Sequence, residues 1–271
     1  MLKGKKIVLG VTGGIAVYKA VDLVSKLRKQ GAEVRVVMTE HAQQFVTPLT
    51  FKEISGNKVA VSMWNANQEF NVEHIALADW ADLFMVVPAT ANIIAKMAYG
   101  IADDLLSTTL LAAHSPVIVC PAMNTHMYEN PATQENIAKI KSRGIVVMPP
   151  ASGVLACGAV GAGRLPEPAD IVNFVKNFFA RTEGDMRGLK VLVTAAGTRE
   201  PIDPVRYVGN RSSGKMGYSI AQAAAERGAE VTLVTGPSAL TPPPNIKVVN
   251  VETTQQMMDA CLAVYDGCDI V

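Results

Sequence analysis

The chain has 271 residues, 49% of them hydrophobic and 18% charged, and its formal net charge is +1 from 25 basic and 24 acidic side chains. It is long enough for one large domain or two ordinary ones, and the charge balance gives no electrostatic reason to expect nucleic acid or an anionic membrane surface as a partner. No apolar run approaches the roughly 18–20 residues needed to cross a bilayer. The N-terminus enters a strand pattern without the layout of a signal peptide, so a cytoplasmic protein is expected.

Residues 5–11 (KKIVLGV) form a β-rich run closed by the glycines of TGG. Residues 15–29 then show helical spacing, with Ala16, Ala20, Leu23, Val24 and Leu27 recurring at three or four. Further strands are predicted at 32–39, 83–88, 116–121 and 144–150, with helical patterns at 92–98, 133–143 and 169–180. Continuous aliphatic strands alternating with helices imply an α/β fold: a Rossmann-like, doubly wound parallel sheet of the flavodoxin-like kind, covered on both faces. Ligands of such a sheet lie at the carboxyl ends of its strands. Residues 181–188 are polar and aperiodic and read as a linker. The pattern then restarts, with strands at 189–197, 229–236 and 246–252, helices at 217–227 and 253–265, and CDIV as a strand just beginning. The domain reading is 1–181, a linker at 182–188, and part of a second Rossmann-like α/β domain at 189–271.

Chemistry-bearing residues gather where strands end. Gly13 and Gly14, followed by Ile15, join a strand to a helix; such a turn admits a phosphate or ring close to the backbone, and equally serves packing alone. It is not a GxGxxG, which weakens a dinucleotide reading. Thr39 ends the second strand, and Thr90 and Asn92 follow the 83–88 strand; helix capping would employ Thr90 and Asn92 as well as ligand binding would. His74 stands beside an aliphatic run, either as a hydrogen-bonded structural residue or as an acid–base group. Trp80 reads as a core or interface residue. Asn124, three residues past Pro121, offers a carboxamide to a carboxylate or merely closes a turn, with His126 nearby as a rival. The stretch 153–164 has glycines at 153, 158, 161 and 163, the composition of a mobile lid, with Cys157 as an accessible thiol and Arg164 as a partner for a substrate anion. Four cysteines (Cys120, Cys157, Cys261, Cys268) without a CxxC pair, and four scattered histidines, argue for reduced thiols and against zinc. GNRSSGKM (209–216) nearly fits a P-loop, but Met216 replaces the Ser/Thr that would hold magnesium. A glycine- and serine-rich turn opening a helix can still bind phosphate.

Taken together, GVTGGIAVYK, VEHIALADW, PATANIIAKMAYGIADDLL, PAMNTHMYENPA and GVLACGAVGAGRL, in that order, resemble the homo-oligomeric flavin-containing cysteine decarboxylases over residues 5 to about 180. From Gly188 onward, LVTAAGTREPIDPVRYVGNRSSGKMG resembles the phosphopantothenate–cysteine ligases, and the tandem looks like the bacterial fusion family of coenzyme A biosynthesis. The resemblance implies an FMN-dependent decarboxylase converting 4'-phosphopantothenoylcysteine to 4'-phosphopantetheine. It also implies trimers with active sites at subunit contacts, assembling to a dodecamer. Gly13, Gly14, Ile15, Thr39, Thr90 and Asn92 match positions associated with FMN. His74 would be the catalytic histidine, Asn124 the substrate-carboxylate ligand, Cys157 the proton donor and Asn210 the ligase asparagine that processes an acyl-cytidylate. CTP and Mg2+ are expected only for a complete ligase half, whose cytidine-binding segment and later lysine lie beyond Val271. Tyr128 departs from the family's usual tryptophan. Two rivals share the scaffold: prenyltransferases that modify FMN, which lack the PAMN and LACG pairing, and non-catalytic relatives, which would lose His74, Asn124 or Cys157. The chemistry explains the flavin: oxidising the cysteine side chain to a thioaldehyde places the carboxylate beta to an electron sink, so CO2 can leave.

Overall fold

The computed structural model describes residues 2–64, 73–154, 160–244 and 246–271, and the chain divides into two compact units, 2–174 and 175–271.

The first unit contains β1 (Lys6–Val11), α1 (Val17–Lys29), β2 (Glu33–Met38), α2 (Glu40–Gln43), α3 (Pro48–Ser55), β3 (Val59–Ala60), α4 (Glu73–Trp80) and β4 (Leu83–Ala89). It continues with α5 (Ala91–Tyr99), α6 (Leu105–Ala112), β5 (Val117–Pro121), α7 (Thr125–Glu129), α8 (Pro131–Ser142), β6 (Val146–Val147), β7 (Ala151–Val154) and β8 (Val160–Arg164). Six of the strands form one parallel sheet in the order β3-β2-β1-β4-β5-β6. The chain leaves β1 toward β2 on one side and returns to β4 on the other, which makes the β1/β4 junction the topological switch point where such sheets bind ligands. The central strands are apolar, β1 after Lys6 and β4 throughout, as strands covered on both faces are; every residue of β4 is buried. One core cluster joins Val8, Phe84, Val86 and Val119 of the sheet to Ile93, Ile94, Leu106, Ile137 and Ile140 of the helices.

Particular expectations shift. The strand predicted at 144–150 shrinks to Val146–Val147, a half-buried edge strand that pairs only with Ile118 and Val119 of β5. The following Pro149 and Pro150 have no N–H to extend the ladder. The flanks of the glycine-rich stretch form an antiparallel hairpin, β7–β8, and the middle of that stretch, 155–159, on which the reading as a mobile lid centres, lies outside the described residues. Trp80 packs against the core cluster and carries the Arg35 guanidinium 4.0 Å from its ring centroid, in keeping with a structural role.

Helix α9 (Pro168–Glu183) crosses the boundary between the units, so the stretch read as a linker at 182–188 begins inside a helix. Its apolar periodicity runs to Phe179 and Ala180, and the last turn is held by Thr182 Oγ1 donating to Phe178 O at 3.0 Å. The second unit adds β9 (Lys190–Ala195), a short hairpin of β10 (Arg199–Pro201) and β11 (Tyr207–Gly209), α10 (Lys215–Glu226), β12 (Glu230–Thr235), β13 (Lys247–Asn250) and α11 (Thr254–Tyr265). Its parallel sheet has the order β13-β12-β9. Ile270 bridges Val191 on the free side of β9, so CDIV does begin a pairing. Among the described residues no helix is long and apolar enough to cross a membrane, and no cluster of three or more His, Cys, Asp or Glu side chains is arranged to hold a metal ion.

Candidate functional site

The carboxyl ends of β1, β2, β4 and β5 carry nearly all the sequence-predicted residues of the first unit, and backbone bonds tie these ends together. Thr39 N donates to Val11 O at 3.0 Å, joining β2 to β1. Ala122 N donates to Ala89 O at 2.9 Å, joining the loop after β5 to β4. At the switch point itself, the buried Thr12 Oγ1 donates to Pro88 O at 2.6 Å and accepts from Thr90 N at 3.1 Å. Sequence reasoning passed over Thr12; its signal was a hydroxyl placed between an apolar strand and a double glycine, where no apolar side chain is needed.

The two glycines do different things. A Cβ on Gly13 would lie 2.5 Å from His41 Cβ and 2.8 Å from the His41 carbonyl carbon, so the approach of α2 requires a glycine there. A Cβ on Gly14 would meet only Thr90 Cγ2, at 3.8 Å, an ordinary contact. Packing therefore explains Gly13, whereas no close contact among the described residues requires a glycine at position 14. Helix α1 begins directly after this turn; its N-cap, Ala16, makes no side-chain hydrogen bond, and Val17 N and Lys19 N donate to Gly14 O and Ala16 O, each at 3.0 Å. Ile15 and Tyr18 beside it are each 60% exposed.

Capping, weighed against ligand binding for Thr90, is present at Thr90 and at Thr39 too. Thr39 Oγ1 accepts from Ala42 N at 3.3 Å and Thr90 Oγ1 from Ile93 N at 3.5 Å, so both are N-caps. Capping uses each oxygen as an acceptor and leaves the hydroxyl proton for another acceptor. Asn92 is exposed in the first turn of α5. The donor set at this edge, backbone N–H groups and hydroxyls with an exposed aliphatic side chain beside them, suits a phosphate attached to a flat ring.

Asn124 is half-buried at the N-cap of α7, and its Oδ1 accepts from His126 N at 2.9 Å. His126 is exposed. The next residue, Thr125, buries a hydroxyl for which the described residues offer no partner. Strand β8 lies against this loop: Met123 N donates to Gly163 O at 3.0 Å, and a Cβ on Gly161 would touch Thr125 Oγ1 at 2.8 Å. His74 is half-buried in the first turn of α4. Arg164, read as a partner for a substrate anion, is exposed, and its Nη2 donates to Glu167 Oε1 at 2.8 Å. Cys157 lies outside the described residues. Cys120 is fully buried, and burial pushes its thiol up to about 12, which makes it an inert core residue.

In the second unit Asn210 is exposed and sits over the turn after β9. Its Oδ1 accepts from Ser212 N at 2.9 Å and leaves no room for a Cβ on Gly197. Ala196 in that turn has φ 61°. Helix α10 opens just beyond, from the left-handed Gly214 (φ 80°), with no side-chain cap.

Comparison with known proteins matches this architecture. Residues 1–180 match the flavoprotein family, and residues 186–271 match the DNA/pantothenate metabolism flavoprotein C-terminal domain. A coenzyme A biosynthesis bifunctional protein CoaBC of Vibrio vulnificus is 51% identical over 99% of this chain and 67% of its own length. The protein of the same name from Bacillus subtilis is 49% identical over 100% and 67%, and that from Escherichia coli K12 is 49% identical over 100% and 68%. The chain thus spans about two thirds of the length of these relatives. Among solved structures, a cysteine-to-serine mutant of PPC decarboxylase complexed with pantothenoylaminoethenethiol superimposes with a TM-score of 0.58 at 32% identity, covering 65% of this chain and 99% of that one. The FMN binding protein AtHal3 does so with a TM-score of 0.57 at 32% identity, covering 65% and 97%. The chain belongs to the flavoprotein family, among the bifunctional proteins of coenzyme A biosynthesis.

Proposed function

We propose that residues 1–181 act as an FMN-dependent decarboxylase of 4'-phosphopantothenoylcysteine, and that residues 189–271 form part of a phosphopantothenate–cysteine ligase domain. The observation that carries the first reading is the switch-point turn: Gly13 is fixed by packing, Gly14 is not, and the Thr90 hydroxyl stands beside it at the same sheet edge. The relative solved with pantothenoylaminoethenethiol and the relative described as an FMN binding protein share this fold at 32% identity.

Gly13, Gly14 and Ile15 would hold the FMN phosphate by backbone N–H groups at the start of α1, with Thr39, Thr90 and Asn92 as further hydrogen-bond donors. FMN would supply the two-electron oxidation that gives the substrate the thiocarbonyl electron sink an acylated cysteine lacks. Asn124 would bind the substrate carboxylate through its carboxamide N–H groups, because Oδ1 already accepts the His126 N–H. That fixes the carboxylate in one orientation before the C–C bond breaks. His74 would orient the substrate or assist proton removal, and Cys157 would return a proton to the decarboxylated carbon. Asn210 belongs to the separate ligase chemistry, for which CTP and Mg2+ are expected in the longer proteins. An assembly of trimers into a dodecamer is part of the same proposal.

Purified protein should be yellow, release FMN on denaturation and liberate CO2 from 4'-phosphopantothenoylcysteine. Protein that is folded and FMN-supplied yet retains no flavin and yields no CO2 refutes the reading. The Cys157→Ser variant should accumulate a decarboxylated, oxidised product detectable by mass spectrometry; normal product from it removes Cys157 from the chemistry.

A further inference from the structure

Lys19 is a cation in the wrong place for a surface helix. It lies on the buried face of α1 with Ala20, Leu23, Val24 and Leu27, and it is 8% exposed. A buried ammonium persists only when it is paired and hydrogen-bonded. Its Nζ donates to Glu167 Oε1 at 2.8 Å and to Leu165 O at 3.3 Å. The same carboxylate oxygen takes the Arg164 guanidinium at 2.8 Å. The Lys19 hydrogen bond leads the causes that hold the Glu167 carboxyl below the usual carboxylate range. The Glu167 carbonyl, in turn, accepts the N–H groups of Asp170 and Ile171 at 2.9 and 3.1 Å and so starts α9.

One carboxylate therefore joins three elements: α1, the end of β8 and the start of α9. The residue before Arg164 is the one that touches the loop after β5. Gly163 O accepts Met123 N at 3.0 Å, and a Cβ on Gly163 would collide with Met123 O. Met123 immediately precedes Asn124. We infer that Glu167 is a positioning residue of the acyl-cysteine site: through Lys19 and Arg164 it locks β8 onto α1, and β8 then holds Met123 and Asn124 at the sheet edge. The inference rests on the reading of Asn124 as a substrate ligand.

A purely structural pair would do no more than neutralise Lys19, and the double variant Lys19→Met/Glu167→Gln separates the two roles. It removes the buried charge together with its partner, so the full chain should fold and retain FMN even where Glu167→Gln alone does not. The expected result is a urea midpoint close to wild type, with the Met123 amide exchanging hydrogen about tenfold faster. The KM for 4'-phosphopantothenoylcysteine should rise about tenfold while kcat changes less. Wild-type exchange at Met123 overturns the inference whatever the kinetics, and so does a wild-type KM in a variant whose Met123 amide is loosened. If the unaltered protein fails to turn over the cysteinyl conjugate, the functional reading falls, while amide exchange still decides whether Glu167 holds Met123.

Discussion

Replacing Thr12 with valine should loosen the switch point while leaving its shape almost unchanged. Valine puts a methyl where the hydroxyl was, so no cavity forms. It strands two groups: the Pro88 carbonyl, bonded at 2.6 Å, and the Thr90 N–H, bonded at 3.1 Å. Thr12 is 2% exposed and β4 is buried throughout, so water cannot readily replace the hydroxyl. An unsatisfied buried polar group costs about 1–3 kcal/mol; with Thr90 only half-buried, the pair should total about 3 kcal/mol. For a unit of this size that lowers Tm by roughly 6–12 °C. Thr12→Ser keeps both bonds and loses one methyl, for about 1 kcal/mol. Urea unfolding of the two variants side by side isolates the hydroxyl, and flavin titration reports its effect on the site. The expected order is wild type, then serine, then valine, with flavin affinity reduced chiefly in the valine variant. A valine variant as stable as the serine variant refutes the idea that Thr12 clamps β1 to β4.

Two further outcomes follow from the same geometry. Gly14→Ala should leave urea stability within about 1 kcal/mol of wild type, because its Cβ meets only Thr90 Cγ2 at 3.8 Å, and yet lower flavin retention; Gly13→Ala should lower both, since it strikes His41. Equal stability losses from the two alanines would refute the division of roles. The Lys96 ion cluster should shape stability at the pH extremes. Lys96 Nζ lies 2.6 Å from Asp103 Oδ1 and 2.9 Å from Asp104 Oδ2. Burial works against the Lys96 ammonium, but the hydrogen bonds and charges of the two aspartates outweigh it and raise its pKa. The Lys96 bond leads in lowering Asp103, while for Asp104 burial opposes and the bonds from Lys96 and Ser107 prevail. The lowered carboxyls contribute stability that is present above their ordinary 3.8 and lost as pH falls through their folded values. The raised lysine contributes stability that is present below its ordinary 10.5 and lost as pH rises through its folded value. Urea midpoints should be flat from about pH 5 to 9, with an acid limb that Lys96→Met makes shallower. An unchanged acid limb in that variant would show the cluster to be inert.

How much of this was legible in the sequence depends on which interactions are local. β1, β4 and β5 were readable because a parallel strand buried on both faces is a nearly continuous apolar run, whatever its partners, and β2 was readable because its β-branched valines persist around Arg35. The Val59–Ala60 strand was not, because two residues carry no period and exist as β3 only through pairing with Val36 and Val37. The β7–β8 hairpin hid for another reason: glycines at 153, 161 and 163 signal freedom when read locally. The fold uses at least two of them for close approach, Gly161 to Thr125 and Gly163 to Met123. Gly13, Gly14, Thr39 and Thr90 were legible as a group because strand ends are visible in sequence and the sheet brings them to one edge. Glu167 was not, since nothing in RLPEP announces a lysine on a helix nearly 150 residues earlier.

The two units solve one steric problem twice, and the difference between the solutions bears on what each can bind. In both, a strand must hand over to a helix within a few residues while a neighbouring segment crosses the turn. In the first unit the crossing segment is His41, whose Cβ and carbonyl exclude a Cβ at position 13, while the next position stays open toward Thr90. In the second, a side chain crosses: the Asn210 carboxamide packs on Gly197, and Gly236 abuts the Gly197 carbonyl. The first turn presents backbone N–H groups with the Thr39 and Thr90 hydroxyls at the same edge, which suits an anion. A turn crossed by a carboxamide presents an orientable donor, which suits a group whose geometry changes during reaction. The strand order read outward from β1 and from β9 is the same, and the two turns differ in what packs on them, His41 on Gly13 and the Asn210 carboxamide on Gly197. Asn210→Asp tests the distinction within the second unit: it keeps the acceptor for Ser212 N–H and the packing on Gly197, so urea stability should hold. Because it removes the N–H donors and adds a charge, any anion that the turn binds should be lost, and undiminished anion binding by that variant would refute the assignment of the carboxamide as its donor.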